Sequence, residues 1–451
     1  MAAASPVKIL FVGDLHLGRL PSRVPDGLAD QWDLHTNELG PSAAWNRIID
    51  TAVEQRVHCV ALAGDLVHGE TALFEASGIL EDGVRRLDEA GITICAVAGN
   101  HDTRTLPRLA DLISGFHLLG RDGTWSGLEI AGDQSHSVQI VGWSFPAPHH
   151  DLSPLTQRPP LAVAGVTTLG LLHCDLDAGK SRYAPVQTAE LQGAGYQGWF
   201  LGHIHRPDPI PEDGRPFYLG SVVGLDPTET GQHGPVLVSI AGDGTVALQR
   251  LSLSPLRWEN AQIRLDDFVG DGGELAGRVL VGIESIVNDL GDELADSLAL
   301  GLRIQLAGTV ANPARLRQIC SGLDLSQLIT RRDGTVVFVE QITTDLHSLI
   351  DLPVLARENT PPGILAQRII LLESAAARST LDGGAAPIEL KPLLQAARQE
   401  LDRVDRLTPY AGLLDPDSSA DNSALCLHLA SLGRLALDRL LFEKGDDHAS
   451  A

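Results

Sequence analysis

Near its N-terminus the chain reads KILFVGDLH, from Lys8 to His16. An apolar run ends at Val12, and Asp14 and His16 follow it directly. A short apolar run that ends in a turn residue is typical of a strand buried on both faces. Polar residues directly after such a strand indicate a site at the carboxyl edge of an α/β sheet. The stretch therefore predicts an α/β fold whose chemistry lies at the ends of its strands.

The same arrangement recurs through the first half of the chain. Strands are predicted over residues 8–12, 59–63, 92–97, 138–141, 168–172 and 199–201, and helices over 43–55 and 72–90. Alternation of buried strands with helices favours a sheet that is covered on both faces. We therefore expect one α/β domain over residues 1–256.

The remainder of the chain has two further patterns. Residues 257–352 alternate strands with helices, which predicts a small α+β domain. Residues 353–451 are mainly helical, because leucine and alanine recur at helical spacing over 390–404 and again over 425–440. A stretch rich in Gly and Ala, residues 381–386, is predicted to link two of these helices. We therefore expect three parts with boundaries after residues 256 and 352.

Five polar clusters follow predicted strands. They are GDLH (13–16), GD (64–65), GNHD (99–102), the histidine of LLHCD (171–175) and GHIH (202–205). A glycine precedes four of the five, which lets the backbone turn sharply and brings the polar side chains together. Carboxylate, amide and imidazole groups bind divalent metals, and two such ions side by side can clamp a phosphate and activate water. One histidine after a strand is usually structural, but five clusters in this order favour a two-metal site.

Composition bounds the class of protein. The chain has 451 residues, of which 43% are hydrophobic and 20% charged, and this balance is typical of globular domains. Its formal net charge of −24 disfavours non-specific coating of nucleic acid but does not exclude an enzyme that binds phosphate through metals. No apolar run reaches membrane-spanning length, and the first strand begins too early for a signal peptide. The five cysteines are scattered, so we expect a cytoplasmic protein with reduced thiols and no membrane contact.

Taken together, the five clusters resemble the calcineurin-like metallophosphoesterase superfamily. Within it the chain is similar to the SbcD/YhaO branch of DNA-repair nucleases, which partner SMC-like ATPases. The similar stretches are DLHLGR (14–19), GDLVH (64–68), RYAP (182–185), YLGS (218–221) and ETG (229–231). The resemblance implies a metallophosphoesterase sandwich, followed by a small α+β capping domain and a helical C-terminal segment.

The resemblance also implies roles for individual residues. One metal would be held by Asp14, His16, Asp65 and His205, and the second by Asp65, Asn100, His173 and His203, with Asp65 bridging. His101 matches a histidine that assists the leaving oxygen, and Asp102 beside it is expected to orient that imidazole. His68 matches a histidine that some nuclease members use near the phosphate. Arg19, Arg104 and Arg182 lie near these motifs and are candidates for contacts with DNA phosphates.

The leading hypothesis is therefore a DNA phosphodiesterase with two divalent metal ions. Mn²⁺ is the expected metal, with Mg²⁺, Fe²⁺ or Zn²⁺ as alternatives. We expect exonuclease activity in DNA repair and an SbcC-type coiled-coil ATPase as partner. Endonuclease activity and a homodimer are further options. The C-terminal leucine stripes suit docking on that ATPase and intramolecular packing equally. Two rivals stay open: a phosphohydrolase of a small phosphodiester or nucleotide, and a scaffold that mainly serves the ATPase.

Overall fold

A computed structural model describes residues 5–69, 73–131, 137–348, 350–382, 390–405 and 422–448. These residues form two units. The first contains residues 1–261, 280–304 and 324–341, and the second contains residues 262–279, 305–323 and 342–451. Residues 257–352 thus contribute to both units, and the boundaries after residues 256 and 352 stay predictions.

The described residues contain fifteen strands. In chain order they are β1 (Val7–Val12), β2 (Cys59–Leu62), β3 (Thr93–Ala96), β4 (Phe116–Leu118), β5 (Trp125–Ile130), β6 (Ser137–Trp143), β7 (Val166–His173), β8 (Gly198–Gly202), β9 (Phe217–Tyr218), β10 (Val236–Ile240), β11 (Val246–Arg250), β12 (Leu256–Arg264), β13 (Ala299–Val310), β14 (Thr330–Arg332) and β15 (Thr335–Ser348).

Eleven α-helices lie in the same residues. They are α1 (Leu28–Trp32), α2 (Pro41–Gln55), α3 (Leu73–Glu89), α4 (Thr105–Leu112), α5 (Thr188–Gly193), α6 (Gly272–Leu290), α7 (Pro313–Ser321), α8 (Leu352–Leu355), α9 (Pro361–Asp382), α10 (Lys391–Asp405) and α11 (Asn422–His448). No helix among the described residues is long and apolar enough to cross a membrane.

Two sheets in the first unit carry the predicted strands. The first has the order β11-β10-β1-β2-β3-β4, and the second has the order β5-β6-β7-β8-β9. Strands β1, β2, β3 and β4 run parallel, and so do β6, β7, β8 and β9. The carboxyl ends of neighbouring parallel strands therefore meet at one edge of each sheet.

The two sheets pack face to face. Phe11 of β1 stacks on Phe200 of β8, with ring centroids 3.7 Å apart and planes inclined by 12°. Around this pair, alternate residues of both sheets form one buried cluster that includes Ile9, Ala61 and Leu171. Because side chains alternate along a strand, the remaining residues of β1, β2 and β3 face the other way.

Helices cover the outer faces of this sandwich. Leu10 and Val60 belong to a second cluster with Trp45 of α2, Leu80 of α3 and Leu109 of α4. The outer face of the second sheet forms its own cluster, in which Trp199 packs near Leu191 of α5. The predicted α/β class is confirmed, and the continuous apolar character of β1 to β3 is explained by burial on both faces.

The other regular structure includes a third sheet and a helical bundle. Strands of the third sheet have the order β12-β13-β15-β14, and three of them contribute residues to both units. In the second unit, α8, α9, α10 and α11 share one apolar cluster. Of the predicted linker 381–386, residues 383–386 lie outside the described residues.

The apolar cluster takes in only part of the leucine stripe of α11. Leu425 is buried and Leu429 packs against the cluster, whereas Leu432 and Leu440 are exposed. Gly433 lies at the contact with α9, because a Cβ there would lie 3.0 Å from Ile369. Small side chains let two helices approach closely, so the contact face includes Gly433 and part of the stripe.

Candidate metal centre

Strand ends from both sheets supply the polar residues of this site. Asp14, Asp65 and Asn100 lie just beyond β1, β2 and β3, which are neighbours in the first sheet. His173 ends β7, and His203 follows β8, its neighbour in the second sheet. The face-to-face packing of the sheets brings these two edges together.

Glycines permit the close approach of the two edges. A Cβ at Gly202 would lie 2.2 Å from the carbonyl oxygen of Ala63 and 2.8 Å from Nδ1 of His173. At Gly99 a Cβ would lie 2.2 Å from Oδ1 of Asp65. No side chain fits at either position, which accounts for the glycines that precede the ligand-type residues.

Three of the polar residues have a left-handed backbone. His16 and Asp65 both have φ of 49°, and His203 has φ of 102°. Side chains rarely adopt this region, so the conformation must be held by its surroundings. The backbone carbonyl of Asp65 accepts hydrogen bonds from the backbone N–H groups of Leu15 (3.2 Å) and His16 (2.9 Å). The loops after β1 and β2 therefore brace one another.

Asp14, His16 and His205 form the first group of potential metal ligands. One ligand atom of each lies within 4.8 Å of the others. Nε2 of His16 and Nε2 of His205 are 2.9 Å apart, and Nε2 of His16 is 4.0 Å from Oδ2 of Asp65. Two imidazole nitrogens that point at one another beside carboxylates are a suitable donor set for a first-row divalent ion.

Asp14, Asp65 and His173 form the second group. Nε2 of His173 is 3.5 Å from Oδ2 of Asp65 and 3.0 Å from Oδ1 of Asn100. Nδ1 of His173 lies 3.6 Å from Asp14, but this nitrogen is hydrogen-bonded to the carbonyl oxygen of Ala63 at 3.0 Å. Only Nε2 is therefore available to a metal, and it faces Asp65. The geometry thus favours Asp65, and not Asp14, as the carboxylate nearest to both groups.

Outer carboxylates hold two of the histidines. Oε1 of Glu229 lies 2.7 Å from Nδ1 of His205, and Oδ1 of Asp175 lies 3.1 Å from Nε2 of His203. This leaves Nε2 of His205, which is 2.9 Å from Nε2 of His16, for a metal, whereas His203 belongs to neither group of potential ligands. Sequence reasoning missed both carboxylates, since neither is adjacent to its histidine in the chain. The signal for them is general: a metal-binding histidine usually has a hydrogen-bond acceptor on its other nitrogen.

Burial and mutual charge make this cluster a cation site. Burial, and then the charge of Asp65, raise the pKa of Asp14 to about 7. Burial lowers the pKa of His173 to about 4 and that of His16 well below its ordinary value, so both imidazoles are neutral and offer lone pairs. Two crowded carboxylates and neutral imidazoles are stabilised by positive charge between them. The residues present fit divalent metal ions.

The proposed catalytic residues lie at the same cleft. The His101 ring is 5.5 Å from that of His16 and 5.4 Å from that of His68, on which it stacks. Oδ1 and Oδ2 of Asp102 accept backbone N–H groups of Gly99 (2.8 Å) and Leu66 (2.7 Å). These bonds join the loops after β2 and β3. The role of Asp102 in orienting His101 stays a prediction.

The three arginines differ in their placement. Arg19 is half-buried, and after burial its charge is the next cause that lowers the pKa of His68. Arg19 therefore lies close to the cleft. Arg104 and Arg182 are exposed, and the backbone carbonyl of Arg182 accepts a hydrogen bond from the N–H of His150 at 2.8 Å. Their contacts with DNA stay predictions.

Comparison with known proteins identifies relatives of this domain. The chain is 28% identical over 296 residues to the DNA double-strand break repair protein Mre11 of Aeropyrum pernix, a match that covers 62% of this chain and 68% of that protein. It is 25% identical over 241 residues to the uncharacterized metallophosphoesterase YhaO of Bacillus subtilis, covering 49% of this chain and about half, 54%, of that protein.

One solved structure and one family model complete the comparison. A dimetal phosphatase from Danio rerio is 14% identical with a TM-score of 0.32, covering 52% of this chain and 93% of that one. The model of the calcineurin-like phosphoesterase family matches residues 7–207, which include β1 to β8 and the polar residues that follow them. The chain therefore carries a calcineurin-like metallophosphoesterase domain.

Proposed function

We propose that this chain is a two-metal phosphodiesterase that cuts DNA in repair, as the nuclease subunit of a complex with an SMC-like ATPase. The observation that carries the proposal is the convergence of ligand-type side chains from two sheets. Asp14, His16, Asp65, His173 and His205 form two adjacent groups, and Oδ1 of Asn100 lies 3.0 Å from Nε2 of His173. The ring of His203 lies 5.2 Å from that of His173 but belongs to neither group. A site built for structure alone would not need two adjacent groups of ligands with neutral, buried imidazoles.

The ligands divide between two metals in this proposal. Asp14, His16 and His205 hold the first ion, and Asn100, His173 and His203 hold the second. Asp65 bridges them, which is supported by the distances from its Oδ2 to Nε2 of His16 (4.0 Å) and to Nε2 of His173 (3.5 Å). We propose Mn²⁺ as the physiological metal, since the mixed imidazole and carboxylate donors suit such an ion.

The chain's own groups then act on the phosphate. Bound divalent ions supply Lewis acidity and a nucleophilic water. His101 is exposed and stands beside His68, so its imidazole can reach the leaving oxygen and give it a proton. The backbone N–H of His101 donates to Oδ1 of Asp65 at 2.9 Å. This bond ties the proton donor to the bridging carboxylate and fixes their spacing.

Two observations support DNA as the substrate. One relative is named as a DNA double-strand break repair protein. Arg19 also lies near the cleft, where a guanidinium can bind a phosphate of the strand being cut. We further propose that residues 257–352 act as a capping domain and that residues 353–451 bind the ATPase. A cytoplasmic location and a homodimer belong to the same proposal.

The test is Mn²⁺-dependent cleavage of end-labelled duplex and single-stranded DNA. Wild type is compared with Asp65→Ala, His101→Ala and the control His117→Ala, which changes an exposed histidine on β4. We expect a chelator-sensitive ladder of products that is lost in the first two variants and kept in the control. A negative result is repeated with the SMC-like ATPase of the same organism before it is accepted.

A second substrate separates the two halves of the proposal. Hydrolysis of a bis-aryl phosphodiester reports on the metal site without DNA. If this substrate is cleaved while DNA stays intact with and without the ATPase, the metal site stands and the enzyme acts on a small phosphodiester. An Arg19→Ala variant should keep the aryl activity and lose affinity for DNA, with the slope of log K against log salt reduced by roughly 0.9.

A further inference from the structure

Glu229 holds His205 through a fully engaged carboxylate. Its Oε1 lies 2.7 Å from Nδ1 of His205, and its Oε2 accepts the backbone N–H of Leu225 at 2.7 Å. The backbone oxygen of Glu229 lies 3.1 Å from Nε2 of His233, which is itself buried. Glu229 is thus fixed at both its side chain and its backbone.

Asp175 holds His203 in a different setting. Its Oδ1 lies 3.1 Å from Nε2 of His203, and its Oδ2 accepts a hydrogen bond from the hydroxyl of Ser181. The Ser181 oxygen in turn accepts the backbone N–H of Tyr183 at 2.9 Å. Here the second oxygen of the carboxylate is paired with a hydroxyl, which can reverse its role, and not with a backbone N–H.

We propose that Glu229 and Asp175 are positioning residues, one for each metal: Glu229 sets the affinity of the ion held by His205, and Asp175 sets that of the ion held by His203. Each carboxylate keeps the imidazole proton on the outer nitrogen, so that the inner nitrogen offers its lone pair to the metal. The inference rests on the ligand assignment of the proposed function. It adds that the binding affinity of each metal can be lowered separately by a substitution that changes no metal ligand.

An amide in place of Glu229 should reverse the tautomer of His205. In Glu229→Gln, the single amide oxygen is needed by the N–H of Leu225, so the amide nitrogen must face Nδ1 of His205. It would donate to Nδ1 and shift the imidazole proton to Nε2, the atom that points at the metal. Glu229→Gln should therefore weaken metal binding more than Glu229→Ala does. A residue with a merely structural role would give the opposite order, because Gln fills the same space as Glu.

Asp175→Asn should be milder. The hydroxyl of Ser181 can accept from the amide nitrogen, which leaves the amide oxygen on His203 and preserves its tautomer. We therefore predict that Gln lowers the metal affinity more than Ala does at position 229. At position 175, we predict that Ala lowers it more than Asn does. This contrast follows from the partner of the outer oxygen at each site.

The experiment measures Mn²⁺ binding without substrate, by calorimetry and by the electron paramagnetic resonance of free Mn²⁺. Wild type should bind two Mn²⁺ ions, and each variant should lower the affinity for one of them. Two backgrounds assign the step: His16→Ala removes a ligand of the first ion only, and Asn100→Ala a ligand of the second only. Glu229→Gln should lower the affinity of the ion retained by Asn100→Ala by roughly 10–100-fold and leave the ion retained by His16→Ala unchanged. Asp175→Ala should show the reverse.

Controls separate this inference from its alternatives. Asp213→Asn removes an exposed carboxylate that is hydrogen-bonded to Arg215, and it should leave both binding steps unchanged. Thermal unfolding in chelator shows whether each variant is folded. Equal weakening of both ions by Glu229→Gln, or a Gln variant milder than the Ala variant, would overturn the inference while the two-metal site stands. Failure of wild type to bind Mn²⁺ would overturn the proposed function and the inference with it.

Discussion

Replacing Gly202 by alanine should damage the metal centre although no ligand is changed. Gly202 is the last residue of β8 and directly precedes His203. A Cβ there would lie 2.2 Å from the Ala63 carbonyl oxygen, about 1 Å closer than an ordinary contact. That carbonyl holds Nδ1 of His173 at 3.0 Å, and the new Cβ would also lie 2.8 Å from the same nitrogen. The substitution therefore pushes on the end of β2 and on the His173 ring together.

The size of the effect follows from this displacement. Forcing an extra carbon into a packed interior costs about 1–3 kcal/mol of unfolding free energy. For a domain of this size that corresponds to a fall in Tm of roughly 2–12 °C. A misplacement of about 1 Å at a catalytic centre can cost ~100-fold in rate. We therefore expect a folded protein that has lost most of its phosphodiesterase activity and binds Mn²⁺ more weakly.

The matched control is Gly198→Ala in the same strand. Its Cβ would lie 3.5 Å from the Phe200 ring and 3.8 Å from Cδ2 of Leu169, both ordinary contacts. Both variants are compared with wild type for hydrolysis of a bis-aryl phosphodiester, for Mn²⁺ affinity and for Tm in chelator. If Gly202→Ala keeps wild-type turnover and Mn²⁺ affinity, the close contact between the ends of β2 and β8 does not set the ligand geometry, and this reasoning fails.

Three further predictions follow from single residues. Burial and the Asp65 charge raise the pKa of Asp14 to about 7, so below about pH 7 Mn²⁺ must displace a proton from this carboxyl group. The apparent Mn²⁺ affinity should therefore rise roughly tenfold per pH unit per proton and level off above pH 7. Calorimetry in buffers of different ionisation enthalpy counts the protons, and a pH-independent affinity would contradict the prediction. Asp102→Asn should lower the unfolding free energy, measured by urea denaturation, by about 1–3 kcal/mol. The N–H groups of Leu66 and Gly99 are bound by different oxygens of Asp102, and in Asn one of these becomes an NH2 donor; an unchanged midpoint would refute this. Arg250→Met should lower the unfolding free energy by about 1.5–3 kcal/mol, because the backbone carbonyls of Leu219 and Asp208 lose their hydrogen-bond donor. Substitution of the exposed Arg215 by Met should leave the unfolding free energy unchanged within error.

The sequence predicts several of the strands whose own residues are buried on both faces, although it does not predict β10, which is also largely buried. β1, β2 and β3 are mostly apolar runs, and their predicted bounds differ from the observed ones by one residue at one or both ends. β4 and β9 could not be predicted from the local sequence pattern, because strands of three and two residues are defined only by the neighbours with which they pair. Nothing in the residues of a strand says which of two sheets it joins. The sandwich therefore followed from the family resemblance and not from periodicity.

The residues of the metal site also differ in whether the local sequence could predict them. Ligand-type residues could be predicted because each cluster follows a strand end, and all of them except that of His173 also follow a glycine, which is a local signal. The roles of Asp175 and Glu229 could not be predicted in this way, since they meet His203 and His205 only after the loops have folded over long stretches of chain. Asp102 illustrates the converse, as a residue predicted from its neighbour in sequence whose hydrogen bonds go to Leu66 and Gly99.

The metal centre depends on the packing between the sheets as much as on its ligands. Asp14 stands at the end of β1 in one sheet, and the backbone N–H of His203, at the end of β8 in the other, donates to both oxygens of Asp14 at 3.1 Å. The stacked pair of Phe11 and Phe200 lies between the same two strands, three residues before each of these groups. Because a packed core transmits a change of volume to its surroundings, the size of these rings sets the spacing of the strands and hence of the two halves of the site. A change in the packing of this core should therefore change the geometry of the metal site as well as the stability of the fold.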